Sequence, residues 1–449
     1  MKELVIIGWG AAGFAALIKA NQLGFKPTIM GYGPIGGTCV NVGCIPSKRA
    51  LRIGELNSVA SRVLGERTYL DFGEAFEDVK GLVENLRKRK YEDVLASYDA
   101  EVIEGKARFV SPGAVKVNGE IIEARKFIIA TGSSPKVSEV KGLKEAGFWT
   151  HSEALYPDRK VDSLAVIGGR AQALEFAQMY RRLGVDVAVL QRSKVLLPDW
   201  EPEVSLLAER MLSDEGVHVF TNVEVREVKR SAGSKVIVTN RGEIEAEEIL
   251  LATGRKPNVD LNLEAAGVEL GPNGGVKVSD DLSTANPNVY AAGDVIGEPM
   301  LESLAGYEGS IAAENALTGS RKSTNRKLAP QVIFTQPNIA RVGSVEGYEV
   351  GSLESRVVWL SELPKASILG DERGLVKMTI ERETKRIASV QMIAENAGDV
   401  IAEAALAIKR GLTIDDIIEV VHPFPTVAES LRLAALSFYV DVSRLSCCV

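Results

Sequence analysis

The chain of 449 residues is too long for one ordinary domain and points to two to four. With 45% hydrophobic and 25% charged residues it can bury large cores, which excludes a disordered or fibrous protein. Its 60 acidic residues outnumber the 53 basic ones for a net charge of −7, which excludes a general binder of nucleic acid or of anionic membranes.

Met1-Lys2-Glu3 runs straight into the strand-like Leu4-Val5-Ile6-Ile7, so no signal peptide is expected. No stretch of about 18 uninterrupted apolar residues occurs, so no transmembrane span is expected either, and the default location is the cytoplasm. The four cysteines fall into two pairs, Cys39 with Cys44 and Cys447 with Cys448. A reducing compartment disfavours structural disulfides, which leaves redox or metal chemistry for both pairs.

The first predicted unit, from Leu4 to Gly24, is strand, Gly-rich turn and helix. Its turn, Gly8-Trp9-Gly10-Ala11-Ala12-Gly13, fits the dinucleotide fingerprint, in which the backbone approaches a pyrophosphate resting on a helix N-terminus. Gly8, Gly10, Ala12 and Gly13 are therefore candidate cofactor contacts. The next strand should end in an acid for the ribose hydroxyls, but Gly31 stands there; this weakens the ribose contact and leaves the pyrophosphate site.

Next comes Gly36-Gly37-Thr38-Cys39-Val40-Asn41-Val42-Gly43-Cys44-Ile45-Pro46-Ser47-Lys48. Residues five apart on an ideal helix have Cα atoms about 8 Å apart, beyond the roughly 7 Å limit for a disulfide. Bridging Cys39 and Cys44 therefore requires a distorted helix start, and a strained, accessible disulfide is a reducible one. The segment closely resembles the redox-active disulfide of the class I pyridine nucleotide–disulfide oxidoreductases, a family that includes glutathione, dihydrolipoamide and mercuric oxidoreductases. The resemblance implies an α/β fold: two Rossmann-like dinucleotide-binding domains, for FAD and NADPH, and a C-terminal α+β dimerisation domain. It implies that Cys44 lies against the flavin as the thiolate and that Cys39 is the outer, exchanging thiol. Lys48 would sit near the flavin N5, favouring thiolate and reduced ring, with Gly37 and Thr38 also at the cofactor.

Gly73 to Ser97 reads as a long polar helix. Short alternating segments around Val102, Phe109, Val115 and Ile121 then suggest a β-meander inserted before the strand Phe127-Ile128-Ile129-Ala130. Ala130-Thr131-Gly132, Ala252-Thr253-Gly254-Arg255-Lys256-Pro257-Asn258 and Ala292-Gly293-Asp294 match family segments in order. By that resemblance Thr131, Gly132, Gly254, Arg255 and Gly293 contact cofactor, and Asp294 binds the FAD ribitol near its pyrophosphate.

A second strand–turn–helix unit, Leu164 to Gly184, suggests a second dinucleotide-binding domain. Its turn is Gly168-Gly169-Arg170-Ala171-Gln172-Ala173. Gly168 and Gly169 are candidate contacts, whereas Arg170 stands where the middle Gly is normal and Ala171 where many relatives carry a tyrosine. Glu175 corresponds to the carboxylate that pairs with the flavin-site lysine. The following strand ends Val189-Leu190-Gln191-Arg192-Ser193. Gln191 has no charge to repel a phosphate, and Arg192 can pair with a nucleotide 2′-phosphate. Another meander is predicted from Val217 to Leu251.

From Pro330 the pattern changes to strands near Ile333, Val342, Val357, Val376 and Ile387, then helices over 397–410 and 427–438. Without a phosphate-binding loop, this unit reads as an α+β domain made for association. The expected division is 1–150 with 252–325 for FAD, 151–251 for NADPH, and 328–449 for dimerisation. Disulfide reductases of the family carry His-x-His-Pro-Thr here, with a Glu three residues on that holds the second, acid/base His. This chain has Val421-His422-Pro423-Phe424-Pro425-Thr426-Val427-Ala428-Glu429. Phe424 occupies the acid/base position and cannot exchange protons, while His422 aligns with the non-catalytic His.

The chain closes with Leu445-Ser446-Cys447-Cys448-Val449, which resembles the vicinal pair that ends the mercuric reductase branch of the family. Adjacent Cα atoms lie about 3.8 Å apart, under the roughly 4.4 Å lower bound for ordinary disulfides. The pair is thus a poor bridge but a source of two soft ligands, and soft thiolates select soft metals. A prenylation box would place its cysteine fourth from the end, which neither residue matches. The resemblance implies that Hg(II) is captured by Cys447 and Cys448 of the partner subunit in a homodimer and passed to Cys39 and Cys44. The expected activity is reduction of Hg(II) to Hg(0) by NADPH through FAD. Mercuric reductases usually have Tyr where this chain has Phe424. A separate N-terminal metal-binding domain is not expected, because the fingerprint begins at Gly8. Two alternatives remain open: a disulfide or lipoamide reductase, which Phe424 opposes, and a non-enzymatic thiol metal carrier or sensor, which the flavin and nicotinamide motifs oppose.

Overall fold

The computed structural model describes residues 1–65, 71–231 and 233–446. Strand β1 (Lys2–Ile7) is buried on both faces from Leu4 onward, as a continuous apolar run at the centre of a parallel sheet should be. It feeds α1 (Ala11–Gln22) and then β2 (Thr28–Gly31), which pairs parallel to β1. After α2 (Gly37–Val42) and α3 (Cys44–Leu64), the predicted polar helix appears as α4 (Phe72–Arg87) and α5 (Asp93–Ser97), joined by a π-helical turn over Lys88–Glu92. Asp71 Oδ1 caps α4 by accepting from the Glu74 amide at 2.9 Å.

The first meander differs from the sequence expectation. β3 (Glu101–Glu104) pairs parallel to β2 at the edge of the main sheet and is no part of a meander. β4 (Arg108–Ser111), β5 (Ala114–Val117) and β6 (Glu120–Ile129) form the antiparallel hairpins. The ten residues of β6 then do two jobs: the first half pairs with β5, and the second half runs parallel to β1 inside the core. A residue-by-residue alternation cannot reveal a strand that changes partners midway.

Short β7 (Ser133–Pro135), α6 (Leu143–Ala146) and α7 (His151–Leu155) lead into the second unit. There β8 (Ser163–Ile167), α8 (Ala171–Arg182), β9 (Asp186–Leu190), α9 (Pro202–Asp214) and β10 (His218–Phe220) follow the same parallel logic. Only β11 (Val225–Ser231), β12 (Ser234–Thr239) and β13 (Gly242–Ala246) form the predicted second meander. Its two ends belong elsewhere, since β10 and β14 (Glu248–Leu251) join the parallel sheet, in the order β10-β9-β8-β14. The chain then returns to the first unit through β15 (Arg255–Pro257), β16 (Val289–Ala291), which adds to β6, and α10 (Glu302–Thr318).

The last unit is a five-stranded antiparallel sheet of β17 (Gln331–Ile333), β18 (Asn338–Gly343), β19 (Leu353–Trp359), β20 (Leu375–Glu381) and β21 (Ile387–Ala394), in the order β17-β18-β21-β20-β19. It is covered by α12 (Ala397–Arg410) and α14 (Glu429–Leu436), as expected, together with α11 (Pro364–Leu369) and α13 (Ile414–Glu419), which the sequence pattern does not separate. Among the described residues no helix is long and apolar enough to cross a membrane.

The units are not independent. Ala50 and Leu51 of α3 and Phe72 and Phe76 of α4 share a core with Trp149 and Tyr180, and Ile339 and Ile393 of the last sheet join it. The Tyr180 hydroxyl, fully buried, donates to the Ala154 carbonyl at 2.6 Å. Helices α1 and α10 touch just as closely: a Cβ on Gly309 would lie 2.0 Å from the Ala12 carbonyl oxygen. Gly309→Ala should therefore push two backbones apart and destabilise the fold by about 1–3 kcal/mol or more, read as a lower denaturant midpoint together with reduced flavin content.

Candidate active site

The distorted helix start that the cysteine spacing demanded takes the form of a break. α2 ends and α3 begins at Gly43, whose φ/ψ of −133°/−114° is not helical. A Cβ there would lie 2.8 Å from the Thr38 carbonyl oxygen and 3.1 Å from the Cys39 Cα, so no larger residue fits. Around the break the buried Asn41 amide donates to the carbonyls of Ile35 (2.9 Å) and Gly37 (2.8 Å). Tyr156 donates to the Asn41 carbonyl at 2.6 Å, and Ser47 Oγ closes back on the Gly43 carbonyl at 2.7 Å. This frame brings Cys39 and Cys44 into hydrogen-bond contact as two half-buried free thiols.

The two sulfurs are electrostatically unequal. The bond from Cys39 favours the thiolate on Cys44, and the Lys48 charge adds to this, against burial and the charges of Glu302 and Glu175; the net effect is a depressed pKa. Cys39, which donates that bond and is itself buried, is pushed up. The proton thus sits on Cys39 and the charge on Cys44. One turn beyond, Lys48 Nζ donates to Glu175 Oε2 at 2.7 Å and lies 4.7 Å above the Phe334 ring. Glu175, almost wholly buried on α8, accepts on Oε1 from the Phe334 amide at 2.9 Å. The pair therefore ties α3, α8 and the β17–β18 loop together beside the dithiol.

Both glycine-rich turns are built alike. A Cβ on Gly8 would strike the Ala130 carbonyl oxygen at 2.1 Å, and one on Gly168 the Ala252 carbonyl oxygen at 2.3 Å. Each glycine leaves its first strand, and each carbonyl ends the neighbouring parallel strand. Gly13 is fixed by the Gly8 carbonyl, 1.9 Å from where its Cβ would be, and Gly37 by the Gly10 Cα at 2.8 Å. Thr38 and Gly37 thus open α2 directly against the first turn. These bare, concave backbones at the start of two twelve-residue helices fit a dinucleotide pyrophosphate at each turn. Gly31, the unexpected residue, has a steric reason: a Cβ there would lie 2.4 Å from the Trp9 ring, so the indole fills the space the family's acid would use. The Trp9 Nε1 is buried there without a hydrogen-bond partner.

The separated family segments also converge. Thr131 Oγ1 donates to the Asn258 carbonyl (2.7 Å) and Asn258 Nδ2 donates back to the Thr131 carbonyl (2.9 Å), next to the β7–β15 pair. Gly132 and Gly254 supply the positive φ values of 69° and 105° this clasp needs. Half-buried Arg255 donates to the side chain and the carbonyl of Ser133, each at 2.7 Å, and Ser133 Oγ donates to Asp294 Oδ2 at 2.6 Å. Glu308, fully buried, accepts from the Gly293 amide at 2.9 Å and from Arg326 at 2.6 Å, which fixes the Gly293–Asp294 loop.

Several residues of this surround were missed from sequence. Tyr91, in the π-helical turn, feels Cys39, Glu302 and Cys44, and chiefly burial raises its hydroxyl to about 12. Its one signal was an aromatic in the charged run from Arg87 to Asp93. Glu302 begins α10, and His151, whose pKa is lowered to about 4 by burial and by Arg255, lies 3.5 Å from that guanidinium. Elsewhere, Gln191 folds over Gly169, and Arg192 is exposed beside it at the end of β9. On the last unit His422 sits between the Val420 carbonyl and Glu403, both at 3.0 Å, while Phe424 is exposed and Glu429 Oε2 is buried without a partner. Cys447 and Cys448 lie outside the described residues, and among the described residues no group of three or more metal-ligating side chains forms.

Two dinucleotide turns flanking a thiol pair on a broken helix define a flavin-dependent disulfide oxidoreductase. Residues 2–309 match the pyridine nucleotide-disulphide oxidoreductase family and residues 329–435 match its dimerisation domain, so the chain belongs to the pyridine nucleotide-disulphide oxidoreductases. It is 40% identical to a mercuric reductase of Staphylococcus aureus, across 99% of this chain and 84% of that protein. It is 37% identical to a mercuric reductase of Streptomyces lividans, across 99% and 98%. Its fold is that of the HOCl-induced flavoprotein disulfide reductase RclA from Escherichia coli, with a TM-score of 0.88, 24% identity, and coverage of 96% and 99% of the two chains.

The charge asymmetry of the dithiol gives a pH prediction. Because the folded site depresses the Cys44 pKa, its thiolate should persist below the ordinary thiol value of about 8.5 and vanish as pH falls through the folded value. Thiolate absorbance of the reduced protein should show this, and Lys48→Met should move the midpoint upward.

Proposed function

We propose that this chain reduces Hg(II) to Hg(0) with electrons from NADPH, as a cytoplasmic homodimer. The balanced reaction is NADPH + Hg(II) giving NADP⁺ + Hg(0) + H⁺. The observation that carries the reading is the residue at the acid/base position: it is Phe424, which is exposed and cannot exchange protons, and the Glu429 carboxyl five residues on keeps a buried oxygen with no partner. Disulfide substrates release a thiolate that must be protonated; mercury requires two electrons and no such proton. The similarity to mercuric reductases across nearly the whole chain supports the same choice.

Bound FAD supplies a two-electron carrier between nicotinamide and dithiol. The first turn (Gly8, Gly10, Ala12, Gly13), Gly37, Thr38, Thr131, Gly132, Gly254, Arg255, Gly293 and Asp294 would hold it. Lys48 stabilises the Cys44 thiolate, and Glu175 holds Lys48 in place. Gly168, Gly169 and Arg192 would hold NADPH, with Arg192 pairing with the 2′-phosphate. Cys39, carrying the proton, must lose it to bind a soft cation, and the two sulfurs together offer two soft ligands. Cys447 and Cys448 of the partner subunit deliver the metal by ligand exchange. The assigned division is 1–150 with 252–325 for FAD, 151–251 for NADPH, and the remainder from 328 for association.

NADPH oxidation should be strongly stimulated by Hg(II) in excess thiol and hardly at all by oxidised glutathione or lipoamide; the opposite order would overturn the proposal. Cys44→Ser should abolish the long-wavelength charge-transfer band of the half-reduced enzyme, since it removes the thiolate at the flavin. Deleting Cys447-Cys448-Val449 should leave FAD binding and flavin reduction intact while Hg(II) turnover under high thiol falls steeply. Unimpaired turnover in the truncated enzyme would remove the tail from the pathway. Arg192→Glu should shift preference toward NADH, through loss of a charge-assisted contact worth about 1.5–3 kcal/mol.

A further inference from the structure

The two glycine-rich turns share one backbone and differ in one side chain. Gly10 and Arg170 occupy the same place before α1 and α8, with φ/ψ of −83°/−165° and −108°/−172°. At Gly10 an added Cβ would meet nothing nearer than the Gly37 Cα at 3.9 Å, so that face is open for a phosphate to approach the backbone. At the second turn the side chain of Arg170 projects from the equivalent atom. We propose that Arg170 grips the pyrophosphate of the pyridine nucleotide with its guanidinium, replacing the close backbone approach that a glycine would allow. The inference rests on the assignment of this turn to the nucleotide.

Where the guanidinium lies supports this role. It pairs with the Asp199 carboxylate, and both side chains are more than half exposed, at 59% and 51%. Such a pair contributes little to stability in water, so a phosphate can take over from the carboxylate at small cost. The loop that carries Asp199 is held against the turn by the Leu197 amide, which donates to the Gly169 carbonyl at 2.8 Å. Arg170 is thus kept at the mouth between the start of α8 and this loop. A second cation is fixed beside it: Arg341 of β18 stacks on Trp200 at 4.5 Å and donates to the Asp199 carbonyl at 2.5 Å. Arg341 reaches only the main chain of Asp199 and has Glu298 as its acidic neighbour, so the Asp199 carboxylate is the partner that a phosphate would replace at Arg170. Arginine also presents a planar fork that matches two phosphate oxygens, and its charge-assisted bonds are stronger than the neutral amide bonds they would replace.

The competing account makes Arg170 a mere anchor for the Asp199 loop, or an obstacle that the nucleotide must pass. Calorimetric titration of the oxidised holoenzyme with NADP⁺ and with NAD⁺ separates these. Arg170→Ala should weaken both ligands by the same factor, about tenfold or more, because the pyrophosphate is common to both. Arg170→Lys, which keeps charge but not the fork, should fall between, and Asp199→Asn should tighten both by freeing the guanidinium. Equal or tighter binding in Arg170→Ala would overturn the proposal, as would a loss confined to NADP⁺, which would mark a 2′-phosphate contact. Arg192→Ala serves as the control and should weaken NADP⁺ alone. If Arg192→Ala leaves both ligands untouched, the nucleotide assignment itself fails; if it acts as expected while Arg170→Ala does nothing, only the pyrophosphate grip fails.

Discussion

The ion pair between Lys48 and Glu175 is the contact on which the site's geometry depends. Lys48 belongs to the helix that carries Cys44, Glu175 to the helix that opens at the second glycine turn, and the Phe334 amide that binds Glu175 belongs to the last unit. A carboxylate so deeply buried is stable only because both of its oxygens are satisfied. Removing one partner of such a pair typically costs about 3–5 kcal/mol, since it strands a charge. The shared aromatic core of Phe72, Phe76, Trp149 and Tyr180 stands behind the same helices and keeps them from sliding apart. Close helix approach at Gly54, where a Cβ would lie 3.1 Å from the Arg182 Cβ, completes the seam. The dithiol therefore takes its electrostatics from Lys48, Glu175 and Glu302, which lie on three different helices, although both cysteines lie on one short stretch of chain.

The two dinucleotide turns show one steric solution used twice and then altered in opposite ways. Gly8 against Ala130 and Gly168 against Ala252 are the same contact between the ends of adjacent parallel strands. In the first unit the alteration is a filled space, since the Trp9 indole lies over Gly31 where the family places an acid. Neither residue is unusual for its type, so their compensation emerges only once the fold brings ring and glycine together. In the second unit the alteration is an added charge at Arg170, balanced locally by Asp199.

What the sequence made legible was whatever is encoded within one short stretch. The glycine turns, the thirteen-residue cysteine segment and the Val421 to Glu429 departure are contiguous, so each can be read from a single window of sequence. The helix over 73–97 was equally local, and only its π-helical turn carried no signal. What was not legible required knowing partners in space. β6 changes partners halfway along, and β3, β10 and β14 turn out to be parallel neighbours of strands distant in sequence. The roles of Tyr91 and Glu302 beside the thiols, and of Arg326 behind Glu308, likewise follow from contacts between residues tens to hundreds of positions apart. No periodicity or spacing carries that information.

Under the proposed reading, the distribution of charge in the dithiol bears on the choice between a soft cation and a disulfide as acceptor. A disulfide substrate needs an outer thiolate to attack and an acid to receive the departing sulfur. Here Cys39 is held as the protonated partner, and the segment that resembles the family's acid/base motif carries Phe424, a ring that cannot exchange protons. A thiophilic cation reverses the demand. Binding a metal to a thiol expels the proton outright, so the raised pKa of Cys39 opposes metal binding and sulfur coordination must overcome it. The Glu429 carboxyl is raised by burial and keeps one buried oxygen without a partner. Under the proposed reading, a thiophilic acceptor would place no demand on an acid/base group at the Phe424 position.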